Sequence, residues 1–462
     1  MIKKLSLTNF KAFKSLDDLD IRNITVIAGK NSCGKSSIIQ SLLLLKQTLK
    51  SPSKLPLCLD GEYLKHTNLK DISNGIPAIN RANIGYKFLL DGKAETEIEL
   101  SFINKETTQS IANKTQGKKR NISYAPAIDD KNSTVLFDGI NNKELLLKQL
   151  EEYGFPIAEM KYIKHELIYN KFTPETIEIS FLDKHESIIK MPLPVSLFER
   201  DKSVEFHKLI NSLEKIKYLS PIRAIPERAY VHYSEDVSEL KEDGSNAAHL
   251  LWALADKEVY WKNERMSLQT AVNKALECMG LEQEISPDKI GDILYKVGIS
   301  EKQSGSQVSL ADVGFGYSQV IPVILMGLIN NSSNLMLIEQ PEIHLHPSSS
   351  ANLADLFINF AKKNKRFIIE THSQEFINRL RLRVIEDPQL KDKINIVFVE
   401  GNSELGTTAK QFEIDENGMF PSWPDGFLDE SEKLAQAILN ARIKKSQEQT
   451  SYTDDNFSWD DI

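Results

Sequence analysis

The chain opens on alternation. From Lys3 to Phe10, Leu5, Leu7 and Phe10 are set among polar residues, the pattern of a half-buried strand. Asn23 to Ala28 (NITVIA) is a short apolar run, which predicts a second strand, buried on both faces. Ser36 to Leu49 carries apolar residues at helical spacing and has no Gly or Pro. Strand, glycine-bounded loop and helix are therefore expected in that order. Two further strands are expected from Ala82 to Ile103, around the turn Asp91-Gly92. The Lys-rich stretch 104–120 reads as an exposed loop.

Helical spacing recurs over Asn142–Tyr153, Ala158–Asn170, Val195–Lys217, Ala247–Lys262 and Ser267–Met279, so the middle of the chain is expected to be mostly helical. No heptad pattern persists, which excludes a long coiled-coil arm. Between these segments, Tyr218 to Arg228 looks like a strand end feeding an ordered loop. In the C-terminal third, short apolar runs at Leu335–Ile338, Arg366–Ile369 and Ile394–Val399 alternate with helical stretches. That alternation predicts a mainly parallel sheet covered by helices. The last residues, Lys444 to Ile462, are polar and acidic with Phe457 and Trp459 inserted, and read as a flexible tail able to dock a partner.

Composition narrows the class. A chain of 462 residues, 41% hydrophobic and 26% charged, is globular and large enough for two or three domains. A net charge of −8 excludes a uniformly basic DNA-coating protein but leaves room for a local basic patch. Cys33, Cys58 and Cys278 are far apart and form no CxxC pair, so a disulfide framework or structural zinc is not expected, and a reducing cytoplasm fits. The start has no apolar leader segment, and the longest apolar runs, Ile38–Leu45 and Val320–Ile329, fall well short of the roughly 20 residues of a membrane span. A cytoplasmic location without membrane contact is expected.

Four segments carry chemistry. Gly29-Lys30-Asn31-Ser32-Cys33-Gly34-Lys35-Ser36 fits G-x-x-x-x-G-K-[ST], between a predicted strand and a predicted helix. Glycines let the backbone wrap a phosphate chain, and the N–H groups at the helix start, with Ser37 next in line, point at it. Lys35 brings a positive charge to the β- and γ-phosphates, and Ser36 offers a hydroxyl to Mg²⁺. Leu335 to Glu342 is an apolar strand ending in carboxylates. Strand C-termini line the ligand crevice of a parallel sheet, so Glu339 is expected to face the phosphate loop and hold Mg²⁺ through water. Arg366 to Ser373 is another such strand, with His372 placed to reach a γ-phosphate. Ser309 to Gln319 puts Gly314, Gly316 and Ser318 at the start of a buried helix, whose N–H groups form a second anion-facing end.

The order of these segments resembles the ATP-binding-cassette (ABC) ATPases of the RecF/SMC/OLD group, which work on DNA. The match covers about residues 1–105 and 300–400. It implies an α/β P-loop head with a mostly parallel central sheet, an antiparallel β-subdomain and a helical insertion. Lys4 to Phe13 looks like the group's first strand, with Asn9-Phe10-Lys11 beside the nucleotide. Gly29 to Ser36 corresponds to Walker A, Glu339 to the Walker B acid and His372 to the switch histidine. Asp312 to Gln319 stands in the place of the signature, which in this group meets the γ-phosphate held by the opposite subunit. Glu342 to Pro347 falls at the D-loop, and Gln47 is the candidate Q-loop glutamine. ATP, Mg²⁺ and a nucleotide-sandwich dimer or higher homo-oligomer follow from the resemblance.

One residue departs from it. The usual catalytic Glu after the Walker B acid is Gln340 here, and Gln cannot accept the proton of an attacking water. That leaves Glu339 or Glu342 as the base, or slow hydrolysis. Glu339 to Pro347, Asp312 to Gly316 and Trp423 to Phe427 further resemble bacterial anti-phage ATPases of the Septu PtuA type and retron-associated relatives, encoded beside an HNH nuclease.

The expected organisation is an N-terminal ATPase lobe (1–120), a mostly helical insertion (121–300), a C-terminal lobe with signature, Walker B and switch histidine (301–405), an extension (406–443) and the tail (444–462). The expected function is an ATPase that regulates or scaffolds a partner nuclease on DNA, with DNA contacted through the partner. A stand-alone RecF-like repair ATPase is the alternative. A third is an OLD-type nuclease, whose opening strand Val397 to Gly401 faintly resembles, although no DxD pair follows in strand context.

Overall fold

The computed structural model describes residues 1–53, 55–75, 83–91, 96–106, 120–130, 133–135, 143–158, 160–198, 200–231, 239–290, 294–301, 307–313, 315–402, 406–420, 433–443 and 445. Gly92 of the expected turn, most of the loop (107–119), Gly314, Trp423 to Phe427 and all but Lys445 of the tail lie outside the described residues.

The central sheet runs Ile216–Leu219, Leu335–Glu339, Arg366–Glu370, Ile24–Gly29, Ile394–Asn402, Gly406–Phe412. The first five strands are parallel and the last is antiparallel. Each inner strand is an apolar run because both of its faces are covered. Val26, Met336, Ile338, Phe367 and Ile369 enter one core, while Ile27, Leu335, Leu337 and Ile368 enter the core on the opposite face. Helices Phe315–Ile329, Pro347–Ala361 and Gln374–Glu386 supply the first core, where Phe357 meets Phe367 edge-on at 5.0 Å. Helix Lys35–Lys50 lies in the second core. The segment Val397 to Gly401 is part of this central sheet, parallel to Ile24–Gly29.

Beside it lies a six-stranded antiparallel sheet ordered Phe13–Asp20, Ile2–Phe10, Asn83–Leu90, Thr96–Glu106, Arg120–Asp130, Ser133–Val135. Residues 104–106, expected in a loop, extend the fourth of these strands. The strand Phe13–Asp20 had no counterpart in the sequence reading. Its buried positions are Phe13, Leu16 and Leu19, and the last spacing of three is a bulge: Leu16 to Leu19 spans three residues opposite the two from Leu7 to Leu5.

The α/β head with a mostly parallel central sheet is as expected, without a long coiled coil among the described residues. The middle of the chain is not mostly helical. Lys143–Glu152 and Leu268–Cys278 are helices as expected. Ala158–Asn170 is not: Lys161–Asn170 is a strand, paired with Thr173–Leu182, which in turn pairs with Ile188–Pro194. Of Val195–Lys217, only Arg200–Glu214 is α-helix, and Ile216 already belongs to the central sheet. The expected helix Ala247–Lys262 stops at Ala253. Glu258–Trp261 then buries Val259 and Trp261 in alternation and turns back through Lys262 at φ +51°. Glu258 and Tyr260, pointing out, complete the period of two. Among the described residues no helix is long and apolar enough to cross a membrane.

Candidate nucleotide site

The loop Gly29 to Ser36 leaves the end of its strand and enters helix Lys35–Lys50 through Gly34, at φ +99°. A side chain would not fit at either glycine. A Cβ on Gly29, at φ +145°, would stand 2.1 Å from the Val399 carbonyl oxygen, and one on Gly34 would stand 2.4 Å from Ala12 Cβ. The loop is thus wedged between the neighbouring strand and the turn that follows Phe10. Its lip, Lys30, Asn31 and Ser32, is exposed. Lys35 is buried (4% exposed) and points inward, its Nζ donating to the carbonyl oxygens of Gly29 (3.0 Å) and Lys30 (2.6 Å). Cys33 is a buried loop filler whose thiol donates to Lys30 O and whose pKa is pushed up by desolvation. Lys11, with φ +47°, reaches Gln40 of the helix at 2.6 Å.

Two carboxylates end neighbouring strands in register: Glu339 pairs with Glu370, and Glu370 with Ile27 of the phosphate-loop strand. Sheet order therefore places Glu370 between Glu339 and the loop. Ser36 Oγ donates to Glu370 Oε1 at 3.0 Å, whereas Glu339 Oε1 accepts from the Tyr218 hydroxyl at 2.9 Å. Glu370 Oε2 is buried and has no hydrogen-bond partner. Burial, then the Glu370 charge, pushes the Glu339 carboxyl up to about 7. Burial also raises Glu370, opposed by Ser36 and Lys35.

The turn after Glu339 is laced to the histidine strand. Gln340 sits at φ +45°, and its N–H donates to Glu370 O at 2.7 Å. Glu342 Oε1 accepts from Thr371 Oγ1 and from the His372 N–H, both at 2.7 Å. Buried Arg223 donates to Glu339 O at 3.0 Å and lies 3.5 Å from Gln340 O and Gln319 Oε1. It ties the acid strand to the helix Phe315–Ile329. Partial desolvation, then the charge of Lys35, lowers the exposed His372 imidazole below its ordinary pKa. Gly316 packs close to the turn as well: a Cβ there would stand 3.3 Å from His344 O. Ser318 is buried in the same helix start, and Asp312 just upstream pairs with Arg228 at 2.8 Å.

The parallel strands thus bring the loop, Glu339, Gln340, Glu342 and His372 to one edge of the sheet. Gln47 is elsewhere. Its amide is consumed by the backbone of Cys58, Tyr63 and Leu64, so it braces the loop after the helix. Glu370, Tyr218 and Arg223 were not foreseen as site residues. For Glu370 the signal was present, since both short apolar strands end in Glu at the same position. The donor set fits a magnesium nucleotide: a glycine cradle with a buried Lys, a Ser hydroxyl, and two buried carboxylates with a free oxygen beside it.

A P-loop ATPase head is the class this arrangement defines. The chain belongs to the AAA ATPase domain family, whose model matches residues 1–377. A second model, described as a protein of unknown function (DUF3696), matches residues 391–438. No curated protein matches the chain. Among solved structures it is similar to the SMC head domain from Thermotoga maritima, at 10% identity over 89% of this chain and 99% of that one, with a TM-score of 0.37. It is also similar to the Smc head domain with an extended coiled coil bound to the C-terminal domain of ScpA, derived from Pyrococcus furiosus. That match has 12% identity over 95% and 99% of the two chains and a TM-score of 0.40.

Proposed function

We propose that this protein binds MgATP at Gly29–Ser36 and hydrolyses it slowly, as an ABC-type ATPase of the RecF/SMC/OLD group. The observation that carries the reading is the phosphate loop at the end of a parallel strand whose neighbours end in Glu370 and, one strand further, Glu339. Lys35, Gly34, Asn31, Ser32 and Ser37 bind and orient the phosphates, with Lys11 near the nucleotide. Ser36 and Glu339 hold the magnesium ion, which neutralises phosphate charge when bound. His372 donates to the γ-phosphate. Glu342 is a positioning residue, because its near oxygen already holds Thr371 and His372 in place. Gln340 leaves the usual base position without a proton acceptor, which supports slow turnover. Calorimetry of ATP binding tests the reading. Lys35→Ala removes a charge-assisted contact worth about 1.5–3 kcal/mol, so affinity falls roughly tenfold or more. Equal affinity for wild type and variant would sink it.

Two chains sandwich two nucleotides in this proposal, with Gly314, Gly316 and Ser318 of one chain completing the site of the other. ATP then strengthens dimerisation by linkage. Sedimentation with a non-hydrolysable analogue checks this, and a mass independent of nucleotide counts against it. From the resemblance to Septu PtuA-type ATPases, the dimer regulates a neighbouring-gene HNH nuclease on DNA in anti-phage defence. Co-purification with that gene product is the test.

A further inference from the structure

The acid nearest the phosphate loop is not the one that the motif order singles out. Glu339 lies two strands from Ile24–Gly29 and is turned toward Tyr218. Glu370 lies on the adjacent strand, is 3% exposed, and already holds the Ser36 hydroxyl. Its second oxygen, Oε2, is buried with no hydrogen-bond partner. A buried carboxylate oxygen without a partner is costly. Two carboxylates on register-paired strands, roughly 4.7–4.9 Å apart at the backbone, cost more, because their charges repel. A divalent cation between them and the serine offsets both penalties. Among the described residues no group of three or more His, Cys, Asp or Glu could hold a metal by itself. That suits magnesium, which takes one or two carboxylates and draws its remaining ligands from water and substrate phosphates.

We propose that Glu370 is a second magnesium-holding acid of this site, acting with Ser36 and beside Glu339. The proposal rests on the MgATP reading of the phosphate loop. It assigns to the end of the histidine strand a task that the motif order gives to the acid strand alone. The ligand class is the divalent cation of a nucleoside triphosphate. Lys35, whose Nζ bonds the loop carbonyls, remains the phosphate contact and needs no metal.

The test is calorimetric titration with a non-hydrolysable ATP analogue, once with Mg²⁺ and once with EDTA. Wild type, Glu370→Gln, Glu370→Asp and Lys35→Ala are compared. Wild type binds more tightly with Mg²⁺. Glu370→Gln, close to isosteric, keeps the EDTA affinity within about threefold and loses roughly tenfold or more of the magnesium-dependent gain, the size of one charge-assisted contact. Glu370→Asp recovers part of that gain because it keeps the charge. A Glu370→Gln variant with the full magnesium gain overturns the proposal. So does an Asp variant no better than Gln, which would make Glu370 a packing residue only. If wild type fails to bind in either buffer, or Lys35→Ala binds as well as wild type, the MgATP reading itself falls, and the proposal with it.

Discussion

Two sheets of this molecule use similar residues to opposite effect. In the central sheet, Leu335–Glu339 and Arg366–Glu370 are five-residue strands that bury almost everything and end in a single carboxylate. In the outlying sheet of Lys161–Asn170, Thr173–Leu182 and Ile188–Pro194, much of one face is wet, and exposed ion pairs such as Lys190–Glu178 and Lys164–Glu166 cross it or run along it. Burial on both faces leaves no freedom of register, so an acid at the strand end is held to a fixed address. Burial on one face tolerates bulges and carries no such address. Chemistry has accumulated at the first sheet, where position is fixed most tightly.

The largest test of that contrast is a cavity. Phe367 is fully buried and packs against Phe357 and Phe360. Phe367→Ala is expected to cost about 3–5 kcal/mol in urea unfolding. A loss below about 1 kcal/mol would mean that the central sheet is no more rigidly packed than its neighbour.

The second test sits at the edge of the same sheet. Gln340→Glu supplies a carboxylate at the usual base position, and steady-state phosphate release is expected to rise roughly a hundredfold. An unchanged rate would show that Glu339 or Glu342 already serves as base, and that the address after the acid strand is not catalytic.

These expectations also mark what the sequence made legible. NITVIA, LMLI and RFII could be read as strands because burial on both faces makes the run mostly apolar. KYIKHELIYN could not. Its inward positions are Tyr162, His165 and Leu167, with spacings of three and then two, because the register slips between Tyr162 and Lys164. That slip imitates helical periodicity, and Ile163 and Ile168 on the outside complete the resemblance. At the site, the phosphate loop was legible as a local motif. The Ser36–Glu370 contact joins residues 334 apart, and only the strand order reveals it.

A third prediction concerns lysines buried against the central sheet. Lys46 donates to Ile216 O, and Lys365 to Leu328 O. Burial lowers both, to about 8. The unfolded chain keeps these protons up to roughly pH 10.4. Between about pH 8 and 10 the unfolded state therefore binds more protons than the folded one, and stability rises with pH. Relative to Lys46→Met, wild type should gain on the order of 1–3 kcal/mol in urea unfolding from pH 7 to pH 10, since other titrations cancel in the difference. A difference constant with pH would show that Lys46 is solvated like a surface lysine.

The smallest effect belongs to the outlying sheet. Ile163 and Ile168 are each 44% exposed and lie outside both hydrophobic cores. Threonine keeps the β-branch that a strand favours and removes only partly wetted methyl surface. Ile163→Thr is expected to change stability by less than about 0.5 kcal/mol, as at other exposed positions. The same substitution at Ile369, buried in the central sheet, removes a packed group and places a hydroxyl where no water reaches. Urea unfolding of the two variants side by side measures the contrast directly. A large loss at Ile163 would mean that the outer face of this sheet is covered in solution by another surface. Near-neutrality there with a loss of a few kcal/mol at Ile369 would tie the difference to burial on one face against burial on two, because the residue and the substitution are the same in both strands.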